Sequence, residues 1–344
     1  MIKIGIICPS EIAFRRFLPA LKQADNFQFA GISIANSTEW YGEGVMVDKT
    51  IDTNRIKTEK EKAQHFIQEC NSGKIYNSYT ELISSPEIDA VYIPLPPALH
   101  FKWAKLALEN GKHVFVEKPA TTSLSDTQCL INLARSKGLA LHENYMFIYH
   151  AQLQALNDIV KNGEIGEVRL YRITFGFPLR AQNDFRYNKE LGGGALIDAG
   201  GYTIKYASYL LGDTAQITTA HLNYLPGFNV DMYGSATMVN SDGVTAQLAF
   251  GMDCDYKCEI EIWGSKGTIT SNRILTAPVG FTPEYTIKKN QAYETHLLPT
   301  DDSFLKSINC FQDCINDTAT REKEYLLIER ESSLLDEFQN ITLQ

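Results

Sequence analysis

A chain of 344 residues exceeds the ~250 to 300 at which single hydrophobic cores stop growing, so two domains are expected. With 44% apolar and 21% charged residues, neither half has the composition of a disordered chain. A net charge of −9 excludes the basic footprint of a nucleic-acid or anionic-membrane binder and points to a small-molecule ligand.

Through residues 1–145, short β-rich runs alternate with helical patterns, the signature of a parallel sheet with crossover helices. Strands are predicted at 3–8, 27–34, 90–94, 113–116 and 140–144, and helices at 12–23, 59–70, 99–110 and 125–137. Residues 37–58 are polar and aperiodic, too long for a tight βα turn, and read as an irregular insertion. From 146 to 344 the pattern changes. A helix over 151–161 precedes strands near 167–176, 216–225, 233–240, 244–251 and 257–263, and Gly264-Ser265-Lys266-Gly267 has hairpin chemistry before a strand at 268–271. The predicted fold class is α/β, with a doubly wound N-terminal sheet followed by an α+β domain carrying a large, mostly antiparallel open sheet. An open sheet of that kind has a face free for a partner, so a homodimer or homotetramer built on it is expected.

In a doubly wound dinucleotide-binding (Rossmann) sheet, strand one runs into a glycine-rich turn, and the next helix aims its N–H groups at the pyrophosphate. Here that place holds Cys8-Pro9-Ser10-Glu11-Ile12-Ala13. Against G-x-G-x-x-G/A, Cys8 and Ser10 replace the first two glycines and only Ala13 keeps the small residue. Pro9 removes one N–H, and Glu11 brings negative charge that Arg15 and Arg16 offset. Cys8 to Ala13 and Arg16 are the candidate phosphate contacts, although the same residues also fit a plain helix start capped by Ser10. Strand two ends Ser33-Ile34-Ala35-Asn36, with neither the acidic residue that binds ribose hydroxyls nor an arginine for a 2′-phosphate. Ser33, Asn36 and Ser37 are the candidate ribose contacts. The lack of Lys or Arg between Lys22 and Lys49 tilts the choice between NAD and NADP toward NAD.

His113-Val114-Phe115-Val116-Glu117-Lys118-Pro119 is an apolar strand ending in a charged pair and a proline, at the strand end where open α/β sheets bind ligands. Glu143 and Asn144 end a second strand at that edge. Further on, Asp184-Phe185-Arg186-Tyr187 precedes Gly192-Gly193-Gly194, and the helix that these glycines open carries Asp198 and Tyr202 at i and i+4, on one face.

Over nearly its whole length the sequence resembles the glucose-fructose oxidoreductase, inositol dehydrogenase and rhizopine-catabolism (Gfo/Idh/MocA) family. Ile93-Pro94-Leu95-Pro96-Pro97-Ala98-Leu99-His100 is similar to its nucleotide-site loop, Glu117-Lys118-Pro119 to its signature, and Gly192 to Tyr202 to its active-site helix. The resemblance implies a Rossmann domain that binds NAD or NADP, with Leu95, Pro96, His100, Glu117 and Lys118 on the cofactor side. It also implies that the lysine and a residue of the later helix work at the reacting carbon. Many members have histidine where this chain has Tyr202. The tyrosine is more similar to glucose-fructose oxidoreductases, dihydrodiol dehydrogenases and sugar 3-ketoreductases of nucleotide-deoxysugar pathways.

Hydride transfer at an alcohol carbon needs a group to take or give the hydroxyl proton, and a phenol beside an ammonium can do so. The expected roles are Tyr202 as acid/base, Lys118 as its activator, and Asp198 as the group orienting lysine or substrate. Asn144 and Arg186 join these three as substrate contacts. The expected substrate is a secondary alcohol or ketone of a sugar, free or nucleotide-linked. The rivals are a free-polyol or trans-dihydrodiol dehydrogenase and a catalytically silent sensor on the same fold. His100 and His150 read as structural.

Seven cysteines without dense spacing agree with a reducing compartment. No apolar run approaches the ~20 residues that span a bilayer, and Met1-Ile2-Lys3-Ile4-Gly5 lacks a signal peptide's layout, so a cytoplasmic protein is expected. The C-x3-C pairs Cys254/Cys258 and Cys310/Cys314 each read as one face of a strand or helix, and no metal is expected.

Overall fold

The computed structural model describes residues 1–343, which divide into two compact units. The first comprises 1–121, 125–144 and 307–328; the second comprises 122–124, 145–306 and, of the described residues, 329–343.

In the first unit, β1 (Ile2–Ile7), β2 (Phe27–Ser33), β3 (Lys74–Tyr76), β4 (Ala90–Ile93), β5 (His113–Glu117) and β6 (Leu141–Asn144) form one sheet in the order β3-β2-β1-β4-β5-β6. Every neighbouring pair is parallel. Helices therefore cover both faces, and the strands read as continuous apolar runs: all four residues of β4 and Ile4 to Ile7 of β1 are buried. Phe17 stacks on Tyr92 with centroids 3.8 Å apart, and Phe115 meets both rings at 5.4 Å. The helices are α1 (Leu18–Leu21), entered through a π-helical turn at Ala13–Phe17, α2 (Ser37–Tyr41), α3 (Lys49–Cys70), α4 (Tyr79–Ser84), α5 (Pro97–Glu109) and α6 (Leu124–Lys137). Parallel pairing carries all strand C-termini to one edge, and the chain reverses its winding between β1 and β4. That reversal is the switch point where such sheets bind ligands.

The expectation of an irregular insertion at 37–58 fails. Asn36 and Glu39 form a reciprocal capping box that starts α2, and Asp48 caps α3 through the N–H groups of Thr50 and Ile51. The helix predicted at 59–70 is the C-terminal part of α3 and carries all its buried residues, Glu59, Ala63 and Phe66; residues 49–58 have no buried side chain, so no apolar period marked them. The short β3 and α4 were likewise unmarked by any apolar period.

The second unit contains α7 (Ala151–Lys161), β7 (Val168–Gly176), α8 (Gly201–Leu211), β8 (Gln216–Tyr224), β9 (Asp231–Val239), β10 (Thr245–Gly251), β11 (Lys257–Gly264), β12 (Thr268–Asn272), β13 (Glu284–Lys289) and β14 (Ala292–Leu297). Eight strands run in the order β14-β13-β12-β11-β7-β10-β9-β8, with β7 and β10 paired in parallel and the other neighbours antiparallel. Alternation sorts the faces. Met232, Ala236 and Met238 of β9 point into a core shared with Ile204 and Tyr206 of α8, while Tyr233 and Trp263 stay exposed. The chain closes with α9 (Ser303–Asn316) and α10 (Thr318–Thr342). Among the described residues no helix is long and apolar enough to cross a membrane.

Candidate active site

The cofactor candidates collect along the C-terminal edge of the parallel sheet. Cys8 to Ala13 follow β1, Asn36 follows β2, Leu95 and Pro96 follow β4, and Glu117 and Lys118 close β5. At the first-glycine position Cys8 adopts φ +88°, the left-handed conformation for which glycine is normally required. The turn geometry thus survives the loss of the glycine. Its thiol is pushed up to about 12 by burial and by Glu59, so it stays protonated. Ser10 does cap the helix, its Oγ accepting from Ala13 N at 3.3 Å, and Arg15 neutralises Glu11 at 2.6 Å. A capped helix start behind a left-handed turn, with its acidic residue paired, fits a pyrophosphate.

The end of strand two is held by residues of the following helices. Asn36 caps α2, its side-chain oxygen accepting from Glu39 N at 2.9 Å. A charged pair reaches the same strand end from α3. Arg55 donates from Nη1 to Ala35 O at 3.0 Å, is held by Asp52 Oδ1 at 2.8 Å, and lies over the rings of Trp40 and Tyr41 at 4.9 and 5.6 Å. Asp52 in turn accepts from Ser37 Oγ. An arginine therefore stands at the end of β2 although none lies near it in sequence. Sequence proximity missed it because the residue reaches back across a helix.

Glu117 anchors a buried polar chain. Its Oε1 accepts from Tyr92 OH and from Asn144 Nδ2, both at 2.7 Å, and burial raises its pKa against those bonds. Asn144 Oδ1 accepts from Ser307 Oγ at 2.9 Å. Asn144 is fully buried and both ends of its amide are engaged, so it braces Glu117 instead of binding substrate. Glu143 likewise accepts from Ala120 N at 2.8 Å. His100 is fully buried with Nδ1 2.8 Å from Pro119 O and Nε2 2.7 Å from Leu95 O; its ring is wedged between the two loops that flank the cofactor edge, and the single N–H of the neutral form donates to one of the two carbonyls. Burial lowers its pKa to about 4, against the pull of the two carbonyls. It is a positioning residue, not a cofactor ligand. Lys118 follows Glu117 half-buried.

In the second unit, Gly194 at φ +125° lets the chain pass Asp231, whose Oδ2 accepts from Leu196 N at 2.6 Å. A Cβ at Gly193 would collide with the Arg186 carbonyl. These two glycines bring the 184–187 turn against the start of the helix. There Arg186 Nε donates to Asp198 Oδ2 at 2.7 Å and Nη1 to Asp184 Oδ1 at 3.1 Å. Asp198 sits in a π-helical turn, Leu196–Gly200, a widened turn of the sort that recurs at functional sites. One turn on, Tyr202 is buried among Tyr145, Phe147 and Phe175, with ring centroids 5.3 to 5.5 Å away. An open pocket next to this turn is lined by Gln182, Asn183, Asp184, Tyr187, Asn188 and Asn229. His150, as expected, is structural and caps α7.

A doubly wound parallel sheet with a dinucleotide-type turn, followed by an open sheet that backs a caged tyrosine and an Arg–Asp pair, is the architecture of a two-domain dinucleotide-binding protein. Residues 49–145 match the model of the oxidoreductase family with an NAD-binding Rossmann fold, and residues 153–270 match the GFO/IDH/MocA C-terminal domain. The chain is 35% identical over 314 residues to the dTDP-3,4-didehydro-2,6-dideoxy-alpha-D-glucose 3-reductase of Actinomadura kijaniata, covering 91% of this chain and 87% of that one. It is 30% identical over 219 residues to the trans-1,2-dihydrobenzene-1,2-diol dehydrogenase of Xenopus laevis, covering 63% and 66%. The crystal structure of a 3-ketoreductase from A. kijaniata, in complex with NADP and TDP-benzene, matches with a TM-score of 0.88 at 33% identity, over 99% of this chain and 98% of that one. The chain belongs to the Gfo/Idh/MocA oxidoreductase family. The lean toward NAD finds no support: a relative of known structure holds NADP.

Proposed function

We propose that this enzyme is an NADP(H)-dependent ketoreductase acting on a keto group of a nucleotide-linked deoxysugar. The observation that carries this reading is the match, across almost the whole of both chains, to a 3-ketoreductase holding TDP-benzene and NADP. The amide-rich pocket of Gln182, Asn183, Asn188 and Asn229 adds donors and acceptors suited to sugar hydroxyls or a nucleobase edge. When bound, the nicotinamide supplies or accepts the hydride.

The chain's own residues manage the proton. In the reductive direction the Tyr202 phenol protonates the carbonyl oxygen as the hydride reaches its carbon, and the Lys118 ammonium is the cation assigned to that oxygen. Solvent then returns a proton to the phenolate. Asp198 acts through its bond to Arg186, holding the turn before α8 and with it Tyr202, as a positioning residue. Arg55 carries the choice of cofactor, by pairing with a 2′-phosphate. The exposed Tyr233 and Trp263 on the outer face of the second sheet support self-association there as a homodimer or homotetramer, which light scattering on the purified chain checks. The cofactor assignment is tested by titrating wild type and Arg55→Ala with NADPH and NADH. Tighter binding of NADPH, lost on substitution while NADH is unaffected, is the expected result; equal binding of the two by wild type would remove Arg55 from the role.

A further inference from the structure

The fold assembles a group of side chains that the catalytic reading does not use. His142 on β6, Cys310 and Cys314 on α9, and Glu324 on α10 offer ligand atoms that all lie within 4.8 Å of one another. His142 and Cys314 are fully buried, Glu324 is 6% exposed, and Cys310 is half-buried. All four belong to the first unit. The Cys310/Cys314 spacing alone reads as one face of a helix, and only the return of residues 307–328 to the edge strand adds the histidine and the carboxylate.

The hydrogen bonds around His142 sharpen the case. Ser307 Oγ lies 2.9 Å from His142 Nε2 and gives its own proton to Asn144 Oδ1. It therefore accepts from Nε2–H, which leaves Nδ1 of the neutral ring as a lone pair. That lone pair sits 2.9 Å from Glu324 Oε1, an acceptor facing an acceptor. A proton on the ring or a metal ion would relieve that contact. The two sulfurs decide between them, because two thiolates, an imidazole and a carboxylate make a four-donor set for a thiophilic divalent cation. In a tetrahedral zinc site such donors lie roughly 3.3 to 3.8 Å apart, so the widest pairs must close by about 1 to 1.5 Å while the His142–Glu324 pair opens by a few tenths of an ångström.

We infer that His142, Cys310, Cys314 and Glu324 form a structural zinc site that clamps the returning segment 307–328 to β6. On binding, each thiol releases its proton to solvent and His142 binds through Nδ1. The site is closed, with no position left for substrate, and Cys310 at its rim gives the ion a way in. The Nε2–H to Ser307 bond is the outer-shell contact that metal-bound histidines usually make. It continues through Asn144 to Glu117, so the clamp also stiffens the strand end beside Lys118.

The test is a cobalt(II) titration of the full-length chain, watched for thiolate-to-metal charge transfer in the near ultraviolet and for the intense visible bands of a tetrahedral ion. Elemental analysis of protein purified from zinc-supplemented cells without chelator accompanies it. The expected result is saturation at about one ion per chain, and about one zinc in the purified protein, both lost in Cys310→Ser and both kept in Cys254→Ser. A wild-type chain with neither band nor stoichiometric zinc overturns the proposal and leaves an imidazolium–carboxylate pair at His142. Bands that survive in Cys310→Ser overturn it too, by placing the ion elsewhere. If Cys310→Ser fails to fold, Glu324→Gln carries the test, with the bands lost if the site is as proposed and unchanged if it is not.

Discussion

The two halves of the molecule build their chemistry in different ways. In the first unit the parallel sheet does the positioning. Most of the candidate cofactor residues lie at or just past a strand C-terminus, and the backbone alone brings Cys8, Pro96 and Lys118 to one edge. In the second unit the work falls to side chains distant in sequence. Asp231 holds Leu196 N–H, Arg186 holds Asp198, and Tyr145, Phe147 and Phe175 cage Tyr202. A site built on a sheet edge tolerates loss of its motif residues, since the topology still supplies the geometry. One built on side-chain bonds does not.

Substitutions should separate the two modes. The largest effect belongs to Tyr202→Phe, which keeps the cage and removes the proton. Turnover should fall by on the order of 10² to 10⁴ while NADPH affinity stays within about twofold, read from single-turnover kinetics and a binding titration. Next comes the tie made by His100. Its folded pKa of about 4 lies below the ordinary value near 6.5, so between those limits the unfolded chain takes up a proton that the native one does not. Acidification through this window should cost up to about 3 kcal/mol of stability, and the difference between wild type and His100→Gln in urea melts across pH 4 to 6.5 should show that slope disappearing. Arg55→Ala should weaken NADPH by roughly 10- to 100-fold, the value of a lost charge-assisted bond, and spare NADH in the same titration. The smallest effect is a gain. Cys8→Gly relieves a left-handed residue at φ +88° and should stabilise the fold by about 1 kcal/mol in thermal melts, without loss of cofactor binding.

The same contrast explains what was legible in the sequence. Period and punctuation revealed five of the six parallel strands, the parallel order and the ligand edge, because those follow from local pattern and a topological rule. Lys118, Asp198 and Tyr202 stood out through their motifs. Arg55 did not, because it acts at β2 from nineteen residues beyond Asn36, within a helix whose polar sequence resembled a loop. Asn144 looked like a ligand because it ends a strand at the right edge, and nothing nearby announces that Ser307 and Glu117 consume its amide. The partners of Asp198 and Cys314 were similarly hidden by distance along the chain.

The most direct test of the central claim is a coupled assay that follows NADPH oxidation with a dTDP-linked 3-keto-deoxysugar, beside the corresponding free sugar and a simple trans-diol with NADP⁺. The account predicts turnover on the nucleotide-linked ketone, strongly reduced on the free sugar and abolished by Tyr202→Phe. Turnover on the free diol alone, or NADPH binding without oxidation on any of the three, would contradict it.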